Sequence, residues 1–299
     1  MIASIPSAVL LGVDGRPVSV EVHVSNGLPG LTMVGLPDAA VRESRDRVRA
    51  ALVSSGLAWP KRRITVNLAP SGMRKAGAGL DLPIAIGVLV ASRVVEAGCV
   101  ADLAFVGELG LDGSVRGVPG VLVVADTNLG EARLAGGTCL SAPTLSELVA
   151  RCTGRRPRRD PSATPTSTSG RTVPPEDLAD TSSGDLAEVL GQPVARRALE
   201  AAAAGGHHLL LVGPPGAGKT LLANRIAGLL PDLDPGTARD VTRIHSAAGE
   251  PRPGHGLVTR PPFRSPHHGV SAVALIGGGS AAMRPGEIGL AHGGVGKCH

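Results

Sequence analysis

Eight consecutive residues, Gly213-Pro214-Pro215-Gly216-Ala217-Gly218-Lys219-Thr220, fill every fixed position of the pattern G-x-x-x-x-G-K-[ST]. The chemistry this spacing serves is capture of a nucleoside triphosphate, ATP or GTP. Glycines let the backbone curl around an anion with no Cβ in the way, so that peptide N–H groups converge on phosphate. The lysine, Lys219, then reaches the β- and γ-phosphates, and the Thr220 hydroxyl ligates Mg²⁺. The flanks suit that role. His208-Leu209-Leu210-Leu211-Val212 reads as a short buried strand, and Leu221 to Leu230 reads as a helix stopped by Pro231. The loop thus falls between strand and helix, where the positive helix end faces the anion.

Hydrolysis asks for more than the cradle. An acidic pair at the end of a second apolar strand is needed, the Asp to help hold Mg²⁺ and the Glu to polarise the attacking water. Nothing between Leu221 and His299 has that pattern. Val121-Leu122-Val123-Val124-Ala125-Asp126 resembles it, but it precedes the cradle and has no second acid. The sequence reads as half of an ATP site.

The elements around this half-site fall into two α/β regions. With 299 residues there is room for two domains and a linker. Hydrophobic residues make up 42% of the chain but aromatics only 1%, so any core is built from Ala, Val, Leu and Ile. A net charge of +5 is compatible with nucleic-acid contact, yet much of the excess lies in the expected linker. Cys99, Cys139, Cys152 and Cys298 are scattered and suggest neither a zinc site nor a disulfide framework. No apolar run is long enough to span a membrane and no signal-peptide start is seen, so a cytoplasmic protein is expected.

Residues 1–150 read as one domain. Val18, Val20, Val22 and Val24 alternate as in a half-buried strand, and Leu31 to Val34 and Ile64 to Leu68 read as two more. Asp38 starts a helix with Val41, Val48, Ala51 and Leu52 on one face and Arg42, Arg45, Asp46 and Arg49 on the other. That charged side fits a solvated face better than a nucleic-acid contact. Leu82 to Ser92 is apolar enough for a buried helix, Asp112-Gly113 signals a hairpin turn, and Thr144 to Glu147 has capping-box spacing.

Residues 151–184, with Arg155-Arg156-Pro157-Arg158-Arg159 and a Ser/Thr/Pro-rich run, read as a disordered linker. Residues 185–299 open with a helix over Val194 to Ala203 and turn glycine- and proline-rich after the cradle. His267-His268 invites a metal reading. Neighbouring side chains on an extended segment point apart, however, and no Cys or carboxylate stands at ligand spacing.

Several strings together resemble the magnesium-chelatase-like AAA+ ATPases of the YifB/ComM type. Gly35-Leu36-Pro37-Asp38, Val66-Asn67-Leu68-Ala69-Pro70 and Leu80-Asp81-Leu82-Pro83-Ile84-Ala85 are similar to that family's N-terminal domain. Gly191-Gln192, Ala204-Gly205-Gly206-His207-His208, the cradle, Ile244-His245-Ser246, Pro262-Phe263-Arg264-Ser265-Pro266-His267-His268 and Pro285-Gly286-Glu287-Ile288 resemble its ATPase domain in order and spacing.

The resemblance implies an α/β chain with a Lon-protease-like N-terminal domain followed by a partial P-loop AAA+ domain. It implies ATP and Mg²⁺ as ligands, with Gly191 and Gln192 near the adenine. Full-length relatives form hexameric rings of the chain with itself that act on DNA, including branch migration. A metal-insertion subunit of the chelatase type and a non-catalytic N-terminal binding module remain open as alternatives.

Two departures limit what carries over. Aligned on the Lon serine–lysine dyad, Gly79 stands at the nucleophile and Leu122 at the base, so peptidase chemistry is not expected. After Val295 the chain reads Gly296-Lys297-Cys298-His299, where the family has an apolar strand and the acidic pair. This reads as a truncation or frameshift that removes the sensor residues, arginine finger and lid. It also removes the two strands that flank the cradle strand in such sheets. Leu209 to Val212 are then expected to have unpaired backbone and uncovered apolar side chains, with residues 185–299 poorly ordered and the N-terminal domain folding alone.

Overall fold

The structure, a computed structural model, describes residues 1–73, 75, 77–116, 142–154, 184–250, 256–279 and 283–298. The Val121–Asp126 run with Leu122, Cys139, the Arg155–Arg159 cluster with nearly all of the expected linker, and His299 lie outside these residues. The chain divides into two compact units, one built on the described residues up to Gly154 and the other on those from Gly184 onward.

In the first unit alternation decides the layout. Strand β1 (Ile2–Leu11) buries Ala3, Ile5, Ser7 and Val9, and β2 (Asp14–Ser25) buries Val18, Val20, Val22 and Val24. They pair antiparallel, with Ile5 opposite Val20 and Ala3 opposite Val22, so the buried side chains share one face. Strand β3 (Gly30–Val34) and helix α1 (Ala39–Ser54) come next, followed by β4 (Arg63–Ala69). The sheet order is β1-β2-β4-β3, with β3 and β4 parallel across the α1 crossover.

Asp38 caps α1, its Oδ1 accepting from the Val41 N–H at 2.8 Å, and Val41, Val48, Ala51 and Leu52 are fully buried. Helix α2 (Asp81–Ala91) is buried on all sides, packed on β1 and β2 with α1 against it. Gly87 allows this approach. A Cβ there would lie 2.5 Å from Val22 Cγ2, inside any tolerable contact. The expected hairpin is present as β5 (Glu108–Leu109) and β6 (Val115–Arg116), with Gly113 left-handed at φ 85°. The expected cap of the next helix, α3 (Leu145–Thr153), is present as well, with Thr144 Oγ1 accepting from the Glu147 N–H at 3.3 Å. Strand β1 was not anticipated, although the spacing of Ala3, Ile5 and Val9 carries the period-2 signal.

One charge pair ties these pieces together. Asp81 is fully buried at the start of α2 and accepts from Arg47 Nε at 2.7 Å, from Arg47 Nη2 at 3.0 Å, from the Leu109 N–H at 3.2 Å and from Ser44 Oγ. Arg47 also donates to the Ala40 carbonyl at 2.8 Å, and its hydrogen bonds to Asp81 hold the guanidinium pKa above its ordinary value. Helices α1 and α2 and strand β5 therefore meet on a single carboxylate.

The second unit is built from helices. Helix α4 (Pro193–Gly205) covers the expected segment, and α5 (Lys219–Arg225) continues as a 3₁₀ turn over Ile226–Leu229. Leu186, Val189, Leu199 and Leu222 form their shared core. Helix α6 (Pro235–Ala248) was not anticipated. Its signal was local: Asp234 caps it by accepting from the Gly236 and Thr237 N–H groups, and Pro235 occupies the first helical position. Beyond it lie β7 (Phe263–Arg264), α7 (Ala272–Ile276), β8 (Gly277–Gly278), β9 (Arg284–Pro285), α8 (Glu287–Leu290) and β10 (Val295–Gly296).

His208 to Val212 is not a strand and is not buried, which corrects the buried-strand reading, while the unpaired backbone and uncovered apolar side chains expected of Leu209 to Val212 are found among the described residues. Leu210 is 84% exposed and Val212 86%, while only Leu211 reaches the core of this unit. An apolar run becomes a strand only where neighbours satisfy its peptide groups, and among the described residues none pairs with it. Among the described residues no helix is long and apolar enough to cross a membrane.

Replacing Asp81 by Ala leaves the Arg47 guanidinium without its main partner. Asp81→Ala is expected to lower the stability of the first unit by about 3 kcal/mol, read by urea unfolding. A loss below about 1 kcal/mol would show that this pair does not organise the unit.

Candidate functional site

The cradle takes its shape from two glycines. Gly216 (φ 82°) and Gly218 (φ 79°) are both left-handed, and no atom lies within 4 Å of where a Cβ would stand at either. Their requirement is therefore conformational, since an L-residue would be strained there even with space available. Gly213 is different: its φ is not positive, and a Cβ would meet only the Ala217 Cβ at an ordinary 3.5 Å. Pro214 accepts from the Ala217 N–H at 3.3 Å, closing the first bend, and Pro215 follows at the exposed crest. Gly218 then caps α5, its carbonyl accepting from the Leu222 N–H at 2.9 Å. The helix starts at Lys219, as the sequence pattern requires.

Lys219 folds back across the loop, donating from Nζ to the Gly213 carbonyl at 2.7 Å and to the Pro214 carbonyl at 2.8 Å. Gln192 reaches the same loop from the start of α4, its Nε2 donating to the Ala217 carbonyl at 3.0 Å. Gly191 (φ 74°) and Gln192 (φ 54°) are both left-handed, a conformation that aims the Gln192 side chain at the cradle. Thus Gln192 meets the octapeptide although more than twenty positions separate them in sequence, and Gly191 precedes Gln192 in the chain. Thr220, one residue into α5, is exposed, and its Oγ1 lies 3.5 Å from Lys297 Nζ. No sequence signal pointed to Lys297 at this place.

A triphosphate fits this geometry. The loop is open over Gly216 and Gly218, and an ammonium already rests within it on neutral carbonyls that anionic oxygens would outcompete. For Mg²⁺ the described residues offer the Thr220 hydroxyl. They contain no group of three or more His, Cys, Asp or Glu residues placed to hold a metal ion.

Three further strings converge on one brace. Arg264 on β7 donates to both oxygens of Glu287, at 2.7 and 2.9 Å, and to Glu250 at 3.2 Å. His245 Nε2 lies 2.9 Å from the Leu290 carbonyl. Strand β10 pairs parallel with β7, Val295 beside Phe263 and Gly296 beside Arg264. Gly294 permits that pairing, because a Cβ there would fall 2.0 Å from the Pro262 carbonyl oxygen.

With this arrangement in view, the likeness to known proteins covers both units. The family described as magnesium chelatase, subunit ChlI, matches residues 185–296, and a second family described as subunit ChlI of Mg-chelatase matches residues 20–133. The uncharacterized protein YifB of Escherichia coli is 44% identical over 95% of this chain and 56% of its own length. The competence protein ComM of Haemophilus influenzae is 41% identical over 98% of this chain and 59% of its own. The chain belongs to the magnesium-chelatase-like YifB/ComM family. It spans between half and two thirds of the length of these relatives.

The paired histidines need a correction. Their rings do not point apart: the centroids of His267 and His268 are 4.0 Å apart and tilted by 39°. The segment is a turn and not an extended run, closed by the Val270 N–H on the His267 carbonyl and the Gly269 N–H on His267 Nδ1. In the first unit, Gly79 lies buried in a 3₁₀ turn, its carbonyl accepting from the Gly107 N–H at 2.9 Å. Lys75 nearby is buried with its ammonium on the Pro70 carbonyl, and desolvation lowers its pKa.

Glu287 is held below the usual carboxylate range, first by its hydrogen bonds from Arg264. A carboxyl with a depressed folded pKa gives stability that is present above its unfolded pKa and lost as pH falls through the folded one. The thermal stability of the second unit is therefore expected to fall as pH drops below the ordinary glutamate range. Glu287→Gln should cost about 1–2 kcal/mol at neutral pH and flatten that dependence. An unchanged acid profile in the variant would contradict the assignment.

Proposed function

We propose that this chain binds ATP with Mg²⁺ at residues 213–220, as the nucleotide-binding portion of an AAA+ ATPase. The observation that carries this reading is the Lys219 ammonium seated in a loop curled through Gly216 and Gly218, with Gln192 docked on the same loop. In this reading the peptide N–H groups of Gly216 and Gly218 and the Lys219 ammonium bind the phosphates. Thr220 ligates Mg²⁺, which bridges phosphate oxygens when bound, and Gly191 and Gln192 flank the adenine.

The full-length protein would work on DNA as a ring of identical subunits in the cytoplasm. The family membership supports the AAA+ reading, and the naming of one relative as a competence protein supports DNA as the substrate. The chelatase description of the matching families supports a second reading, a motor for metal insertion, which uses the same nucleotide site. DNA-stimulated turnover in a full-length relative would separate the two.

Residues 221–299 contain no acidic pair following an apolar strand, so they do not supply the water-polarising carboxylate of that motif. The 299-residue polypeptide is expected to bind a fluorescent ATP analogue and to hydrolyse ATP no faster than its Lys219→Ala variant. That variant should bind about 10- to 100-fold more weakly, the equivalent of one or two charge-assisted hydrogen bonds. Absence of binding in the parent would sink the cradle reading. Turnover abolished by Lys219→Ala would sink the claim of poor hydrolysis.

A further inference from the structure

Lys297 is positioned by backbone pairing and not by chance of a long side chain. Its N–H donates to the Arg264 carbonyl at 2.8 Å, extending the β10–β7 pairing, and Arg264 is itself fixed by the two-point contact with Glu287. From that anchor the half-buried Lys297 side chain places its ammonium 3.5 Å from Thr220 Oγ1. The other ammonium, that of Lys219, rests on Gly213 and Pro214 at the start of the octapeptide. Two lysines thus contact the octapeptide, one at its first residues and one at its last.

A divalent ion on Thr220 would sit about 2 Å from the same oxygen and would meet the Lys297 charge at close range. Like charges this near repel, whereas phosphate oxygens attract both lysines. The ammonium can therefore neutralise phosphate where the metal would, and it disfavours the metal while doing so.

We propose that Lys297 is a second phosphate-binding cation, occupying the place beside Thr220 that Mg²⁺ takes in other P-loop sites. Nucleoside di- and triphosphates then bind this chain without a divalent ion. This rests on the nucleotide reading given above. It keeps the nucleotide part of that reading and replaces its Mg²⁺ part, assigning the charge at the Thr220 side to the protein itself.

The test is titration calorimetry of the whole chain with ATP and ADP, in Mg²⁺ and in EDTA. The parent is expected to bind within about threefold under the two conditions, and Lys297→Ala to bind about fivefold more weakly in EDTA, the size of one exposed charge contact. Adding Mg²⁺ should restore the Lys297→Ala variant, and Lys297→Arg should behave like the parent. A parent that needs Mg²⁺, or a Lys297→Ala variant that binds like the parent in EDTA, would overturn the proposal. If the parent binds no nucleotide under either condition, the nucleotide reading itself falls, and this proposal with it.

Discussion

A lysine ammonium resting on two peptide carbonyls, inside a loop that turns through two left-handed glycines, is the constraint on which the candidate site depends. Gly216 and Gly218 turn the chain through left-handed backbone, and this brings the carbonyls of Gly213 and Pro214 to one side and the start of α5 to the other. Lys219 closes the ring of contacts by donating to both carbonyls. A side chain at either left-handed glycine would cost on the order of 1–2 kcal/mol in backbone strain. It would also displace the N–H groups proposed to bind phosphate. The Lys219 contacts are neutral-acceptor hydrogen bonds on an exposed loop, so an anion with several charged oxygens has more to offer the ammonium than the carbonyls do.

The rest of the second unit gives this loop its fixed surroundings. Leu222 anchors α5 in the small core with Leu186, Val189 and Leu199, and Gln192 ties the start of α4 to the loop crest. The brace of Arg264, Glu287 and Glu250 fixes β7, which in turn fixes β10 and the residue after it. Leu210 and Val212, which lead into the loop, remain exposed, so the cradle is held from its helical side. The first unit follows another logic, an aliphatic core between a four-stranded sheet and α2, pinned by the buried Asp81–Arg47 pair.

What could be read from residues alone follows the range of the interactions involved. The cradle, the Asp38 cap, the Thr144 cap and the Asp112-Gly113 hairpin are decided within a few residues, and each was legible. Alternation in β2 and β4 and the apolar length of α2 were legible too, because burial on a known face leaves a period in the sequence. The strand expected at His208–Val212 was not found, since strand formation is decided by partners distant in sequence. Arg47 hid among solvated arginines of α1, and only the fold shows that it turns inward to Asp81. Likewise, that Arg264 and Glu287 belong to one brace, and that Lys297 meets Thr220 across 77 positions, depends on tertiary pairing that no local pattern encodes.

The central claim is that the loop itself, by its own peptide groups, receives phosphate. The most direct measurement is an amide NMR titration of the isotopically labelled chain with ATP. The account predicts that the N–H resonances of Gly216, Gly218 and Lys219 move furthest, with the Gln192 side-chain amide moving with them as the loop tightens. Saturable shifts elsewhere in the chain, with those three resonances unmoved, would contradict it.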